Sequence, residues 1–183
     1  GGAGSGGAVW ISAQKITADG GIIRVSGGDG HDSSLPNSGG GGRLALHYDP
    51  AGQSAADIAA LALDAAPGTA SGTRAYRDIQ ARPGTIWCSD AKLFKFIGTD
   101  ALSGVLIPGA ARDLTLGGFT LGNAYVSLGG PVTNVHITGD LEVTGPDTRF
   151  WFGAGDFCYN QTEEVRFTAA DSVPYTLAID GDF

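Results

Sequence analysis

The 183-residue sequence contains no methionine, even at position 1, and only two cysteines. The missing methionine leads to the expectation of a processed or excised piece of a longer precursor, with any export signal upstream. Cys88 and Cys158 fit neither a zinc cluster nor a CxxC redox motif, and an oxidising compartment is permitted but not required. Lys and Arg number 11 against 19 Asp and Glu, for a net charge of −8. Phosphate-backbone binding needs clustered cations, whereas these are few and scattered, so no nucleic acid partner is expected. No apolar run approaches the roughly 20 residues that cross a bilayer as a helix, so no membrane span is expected either. No GxSxG elbow, HExxH helix or phosphate-cradling loop occurs, and the glycine runs lack the strand-glycine-helix context of a dinucleotide site. The expectation is therefore a chain with no cofactor, not an enzyme.

What is abundant is glycine, at 31 residues, in a chain with 42% hydrophobic and 16% charged residues. That balance does not fit a disordered segment, so the glycines are expected to serve turns between elements that bury a core. The length suits one domain or one elongated stack.

Apolar residues two apart mark short strands in the C-terminal half, because alternate side chains of a strand share a face. They run Asp113-Leu114-Thr115-Leu116, Phe119-Thr120-Leu121 and Tyr125-Val126-Ser127-Leu128, and the triplet returns as Val135-His136-Ile137, Leu141-Glu142-Val143 and Phe150-Trp151-Phe152. The spacing from Leu114 to Val135 is close to that from Val126 to Phe150, and periods of a few tens of residues belong to repeat architectures. A further coil reads Val165 to Phe167 and Tyr175 to Ile179. An earlier one reads Ile86 to Cys88, Phe94 to Phe96 and Val105 to Ile107. Ala8 to Ile11, Ile22 to Val25 and Arg43 to Tyr48 read as one coil with long glycine-rich loops.

Gly117-Gly118, Gly129-Gly130, Gly139-Asp140, Gly145-Pro146 and Gly153 fall between strands, where a sharp bend favours positive φ. The pattern predicts an all-β fold, a right-handed parallel β-helix (solenoid) with glycine-rich loops, over the alternative of an antiparallel sandwich. Ser54-Ala55-Ala56-Asp57 has the form of a capping signal before Ile58, Leu61 and Ala62, which predicts one short inserted α-helix over about 54–66, ending before Pro67-Gly68. The expected organisation is a glycine-rich coil over 1–50, an insertion over 51–84 and regular coils of about 21–29 residues over 85–183. The glycine runs at 1–7 and 39–42 are expected to be ordered loops packed on the strands and not free linkers.

Gly-Ser-Gly-Gly-Ala-Val-Trp-Ile at 4–11, Gly-Gly-Ile-Ile-Arg-Val-Ser-Gly-Gly-Asp-Gly at 20–30, Gly-Gly-Gly-Gly-Arg-Leu-Ala-Leu-His-Tyr-Asp at 39–49 and Pro83-Gly84-Thr85-Ile86-Trp87 resemble the glycine-rich repeats of very large bacterial cell-surface proteins of adhesin type. The resemblance covers about the first half of the chain and departs at the Ala-rich insert after Tyr48-Asp49. It implies an exported, surface-displayed protein and supplies no catalytic residues.

Candidate sites are few. Gly27-Gly28-Asp29-Gly30-His31-Asp32 matches the opening of a calcium-binding GGxGxD turn. Ser34 stands where a large apolar residue belongs and no second copy stacks against it, so Asp29 and Asp32 read as a solvated turn and no metal site is assigned. Thr115, His136 and Arg166 are expected on one outer face, Thr120 and Glu142 on the next, with no pair of carboxylates for general acid–base work. Glu163-Glu164 and Asp140 fall at turns. Cys88 points inward as a core residue, and a disulfide to Cys158 requires the chain to fold back. Trp151 is expected to point away from the core that takes Phe150 and Phe152, either free for a sugar or subunit contact or covered by the loop at Asn160. Asn160-Gln161-Thr162 forms a glycosylation sequon taken as chance.

These readings lead to a non-enzymatic structural or adhesive module, extracellular or at the cell surface. Its partners would be further copies of itself, the rest of its precursor, or surface glycans. A glycan-binding or polysaccharide-degrading domain is the alternative.

Overall fold

A computed structural model describes residues 3–31, 38–58, 61–71, 81–92, 102–122, 125–128, 132–144, 149–152, 164–167 and 176–183. In chain order the strands are β1 (Ala8–Ser12), β2 (Ile22–Arg24), β3 (Gly30–His31), β4 (Arg43–His47), β5 (Ala62–Asp64), β6 (Ala70–Ser71), β7 (Thr85–Cys88) and β8 (Leu102–Pro108). They continue as β9 (Asp113–Leu116), β10 (Phe119–Gly122), β11 (Tyr125–Leu128), β12 (Asn134–Ile137), β13 (Leu141–Thr144), β14 (Arg149–Phe152), β15 (Glu164–Phe167) and β16 (Thr176–Ile179). Every pairing among these described strands is parallel, which removes the antiparallel sandwich. Among the described residues the chain is all-β, with almost no helix.

The expected solenoid is corrected. Among the described residues nine strands join one curled sheet, β1-β4-β7-β8-β11-β14-β15 with β2 and β5 attached, and the others form separate sheets β16-β12-β9, β10-β13 and β3-β6. A solenoid stacks the same turn at a constant step. Within the main sheet, the step along the chain between paired positions is short from Arg149 to Glu164 and far longer from Arg43 to Thr85. In the β9-β12-β16 sheet it doubles, from the Asp113–Asn134 pair to the Asn134–Thr176 pair. The predicted pairs Leu114 with Val135 and Val126 with Phe150 do occur, but they repeat locally and do not propagate as one coil. Ile86 and Val105 were expected in different strands of one coil, yet β7 and β8 are neighbours in one sheet, with Thr85 opposite Val105. In the same way β1 lies directly beside β4. Phe94 to Phe96 lie outside the described residues.

The sheet curls where β8 changes partners. Leu102 and Ser103 pair with β5, while Val105 to Pro108 pair with β7. Gly104 between them has φ +151°, and a Cβ there would meet the Ile86 and Ala65 side chains at 3.1–3.2 Å. A residue without a side chain makes this corner. The glycines expected at positive φ between strands do not all adopt it. Among the described residues, Gly20, Gly21, Gly104 and Gly109 do, and Gly117, Gly118 and Gly139 do not.

The core follows the alternation. Leu44, Leu46, Leu63, Ile86, Leu106, Leu114 and Leu128 are each almost wholly enclosed, and each such burial stabilises by about 1.5–3 kcal/mol. One register row runs Val9, Leu44, Ile86, Leu106, Leu128. Outward positions mix polar, aromatic and aliphatic residues, Arg43, Trp87 and Ile107 among them, and are more exposed than the inward rows.

The α-helix predicted over about 54–66 is also corrected. The capping signal is real: Asp57 Oδ2 accepts from Ser54 N at 3.1 Å and Ser54 Oγ accepts from Ala56 N at 3.3 Å. It starts only a single 3₁₀ turn, Ala55–Ile58. Ala62–Asp64 is then drawn into strand pairing with β2 and β8, which buries Leu63. Tertiary pairing overrides local propensity here.

The glycine-rich segments are ordered. Gly6 N donates to Gly40 O, Gly28 N to Gly4 O, Gly39 N to Gly28 O and Gly42 N to Val25 O at 2.7–2.9 Å. These loops are backbone packed on backbone, as the sequence led one to expect.

Candidate functional site

An aromatic row stands on the outer face at the β1 edge of the main sheet. Alternation puts Leu44 and Leu46 of β4 and Ile86 and Cys88 of β7 inward. It leaves Trp10, His47 and Trp87 on the other face. Register places Trp10 opposite Ala45 and Ala45 opposite Trp87. The alanine leaves a gap between the two indoles, and the His47 imidazole, from the next outward position of β4, fills it. Its ring centroid is 4.4 Å from that of Trp10, with an interplanar angle of 20°, and 4.2 Å from that of Trp87, tilted at 32°. Such pairs contribute about 0.5–1.5 kcal/mol each beyond the area they bury.

The stack uses its ring faces internally. Among the described residues nothing covers the outer face of Trp10, whose residue is 70% exposed and whose strand is the sheet edge. Trp10, His47 and Trp87 were not among the sequence-derived candidates. Their outward parity was legible, but their adjacency depends on long register steps, from Trp10 to Ala45 and from Ala45 to Trp87.

A polar node lies behind the end of β4. Tyr48 N donates to Ser89 Oγ at 2.9 Å, and the Tyr48 hydroxyl donates to Asp90 Oδ1 at 2.5 Å. Lys92 N donates to the same carboxylate oxygen at 2.9 Å, while Lys92 Nζ donates to the carbonyls of Pro50 and Gln53. Gln53 is buried, and its amide mimics strand pairing: Oε1 accepts from Ile16 N at 2.8 Å and Nε2 donates to Ile16 O at 2.9 Å. Burial, then the Asp90 hydrogen bond, pushes the Tyr48 phenol well above its ordinary range. A phenol held protonated and a lysine engaged by carbonyls staple the 48–54 loop to the turn after β7.

The other candidates disperse. Asp29 closes a turn onto the neighbouring segment, accepting from Thr69 N at 2.8 Å and from Thr69 Oγ1 at 2.7 Å. The Thr69 N–H and then its hydroxyl hold this carboxyl below its usual value. Asp32 lies outside the described residues, as do Glu163, the sequon Asn160-Gln161-Thr162 and Cys158. Among the described residues no group of three or more His, Cys, Asp or Glu could hold a metal.

Thr115 and His136 share a row as expected, but the next position in it is Ala178; Arg166 instead lies opposite Trp151 in the main sheet. His136 Nε2 is 2.9 Å from Asp180 Oδ2. Glu142 is opposite Thr120 as expected. Asp140 Oδ1 accepts from Asp182 N at 2.9 Å and so serves a turn. Glu164 begins β15, opposite Arg149. Cys88 is buried and free, and burial, with Asp90 nearby, raises its thiol pKa.

No family model, curated protein or solved structure matches the chain. No described helix is long and apolar enough to cross a membrane.

Proposed function

We propose that this chain is a non-enzymatic structural or adhesive module of a secreted bacterial surface or extracellular-matrix protein, associating through the open edges of its parallel sheets. The observation that carries the reading is that β1 and β2, both within residues 8–24, each stand at a sheet edge among the described residues. Trp10 and Ile22 on these strands are exposed at 70% and 50%. Unpaired edges carrying apolar side chains are templates for another strand. The resemblance of the glycine-rich blocks to bacterial surface repeats supports the compartment.

Sedimentation velocity across the soluble concentration range, with electron microscopy of the same samples, tests it. Concentration-dependent growth into chains or fibres is the expected result; a monomer at every concentration overturns the reading. The open face of Trp10 also favours a second reading, glycan binding, since a pyranose ring stacks on an indole. A polysaccharide array separates the two: binding abolished by Trp10→Ala supports the second reading, and turnover of any glycan sinks the non-enzymatic one.

A further inference from the structure

We infer that two copies of this chain pair antiparallel through β1, about a twofold axis at Trp10. Ala8 of one copy then lies opposite Ser12 of the other, and the two Trp10 side chains meet. The inference rests on the self-association proposed above and names its surface, symmetry and register.

Residues 3–31, on both sides of β1, are described, and among the described strands the partner of β1 is β4. Arg43 N donates to Gly7 O and Ala13 N donates to His47 O. In a parallel pair such bonds fall on every second residue of one strand, so Gly7, Val9, Ile11 and Ala13 turn their backbone groups toward β4. The N–H and C=O groups of Ala8, Trp10 and Ser12 point the other way, out of the sheet edge. The strand reads Ala-Val-Trp-Ile-Ser, without the lysine or proline that blunts natural sheet edges.

This edge is complementary to itself. In an antiparallel pair the residues that exchange both bonds stand directly opposite each other at alternate positions. The edge groups are therefore satisfied only where Ala8, Trp10 and Ser12 meet residues of the same set. Centring the pair on Trp10 satisfies all three, whereas centring it on Val9 or Ile11 carries one end of β1 past the end of its partner. A twofold axis perpendicular to the sheet keeps each face on its own side. Val9 and Ile11, both half-buried against the core, come opposite each other and extend the inward apolar rows. On the outward face each Trp10 meets the other with only Ala8 and Ser12 beside it along the strand, so both indoles have room to stack. The row of Trp87, His47 and Trp10 then continues into its counterpart across the interface. Such a contact uses the same patch on both copies and closes at two. Growth beyond the pair takes another edge, and β2, which pairs only with β5 among the described strands, offers one.

The test uses the full chain in a Cys158→Ser background. Mixing Ala8→Cys chains with Ser12→Cys chains under mild oxidation is expected to give an intermolecular disulfide, since these positions lie opposite each other at about 5.5 Å between α-carbons. Ala8→Cys chains alone are expected to give none, because the two Ala8 positions are offset along the strands by about 13 Å. Ala8→Pro removes an N–H that the sheet of the single copy does not use. Circular dichroism should therefore show its fold kept, while sedimentation velocity shows association reduced at every concentration. Trp10→Ala is expected to weaken pairing about two- to twelvefold through loss of the ring contact. Association unchanged by Ala8→Pro, or cross-linking with no preference for the mixture, overturns this register and leaves self-association standing. A wild-type chain that stays monomeric overturns both.

Discussion

The backbones at Gly42 and Gly84 approach so closely that a methyl group on Gly84 would lie 1.9 Å from the Gly42 carbonyl oxygen. Neither segment can retreat without loss, because Gly42 N donates to Val25 O and Gly84 N to Ala65 O, both at 2.7 Å. Gly84→Ala is expected to lower stability by about 2–4 kcal/mol, through overpacking against backbone. Gly7→Ala, where an added Cβ would meet nothing within 4 Å, should change stability by no more than about 0.5 kcal/mol. Denaturant unfolding of the two variants makes the comparison, and equal effects would refute the close-packed loop.

The corner at Gly104 gives a second prediction. Its φ of +151° and the Ile86 and Ala65 side chains beside it both oppose a larger residue. Gly104→Val should cost about 2–4 kcal/mol, and amide exchange should rise in β5 and β8 together, since the corner holds both. Protection lost in β8 alone would contradict the shared corner.

Acid should loosen the turns held by aspartate. The Asp29 carboxyl is lowered by its Thr69 partners, and that of Asp57 by Lys15 first, whose Nζ lies 3.0 Å from Oδ2. A depressed folded-state pKa contributes stability that is present above the ordinary value of 3.8 and is lost as pH falls below it. Asp29→Asn should therefore flatten the fall in melting temperature below about pH 4. An unchanged acid limb in that variant rules Asp29 out as a contributor.

Alkali acts with the opposite sign. The Cys88 thiol and the Tyr48 phenol are both raised. The unfolded chain therefore loses these protons first, and stability falls as pH rises past the ordinary values of 9.0 and 10.0. In a Cys158→Ser background, Cys88 should react with a thiol reagent only as fast as the molecule opens. Rapid labelling of the native protein would show the site to be open. Tyr48→Phe, which removes the hydroxyl donor to Asp90 and leaves Lys92 N on the same carboxylate oxygen, should cost about 1–3 kcal/mol.

Much of the strand content was legible because period-two alternation reports which side chains share a face, and that holds whatever a strand pairs with. Leu114 with Val135 and Thr120 with Glu142 could be paired from a shared short step along the chain, because both short loops recur. β15 and β16 could not be placed by that step: Val165 follows its partner Phe150 sooner, and Leu177 follows Val135 only after twice the distance in sequence. The candidate surface was hidden for the same reason. Trp10, His47 and Trp87 become neighbours only through long register steps and through the small side chain of Ala45 between the indoles.

The sequence by itself determined strand-rich structure, the inward rows of Leu, Ile and Val, and glycine-rich loops too tightly packed to be linkers, since these follow from local side-chain spacing and from the absence of a Cβ. Only the tertiary structure decided how the strands group into sheets, that residues 62–64 pair as a strand, and that Trp10 closes a three-ring row at an open edge. Those outcomes depend on which distant backbones find each other, a choice made by cooperative pairing between segments far apart in the chain that no local pattern encodes.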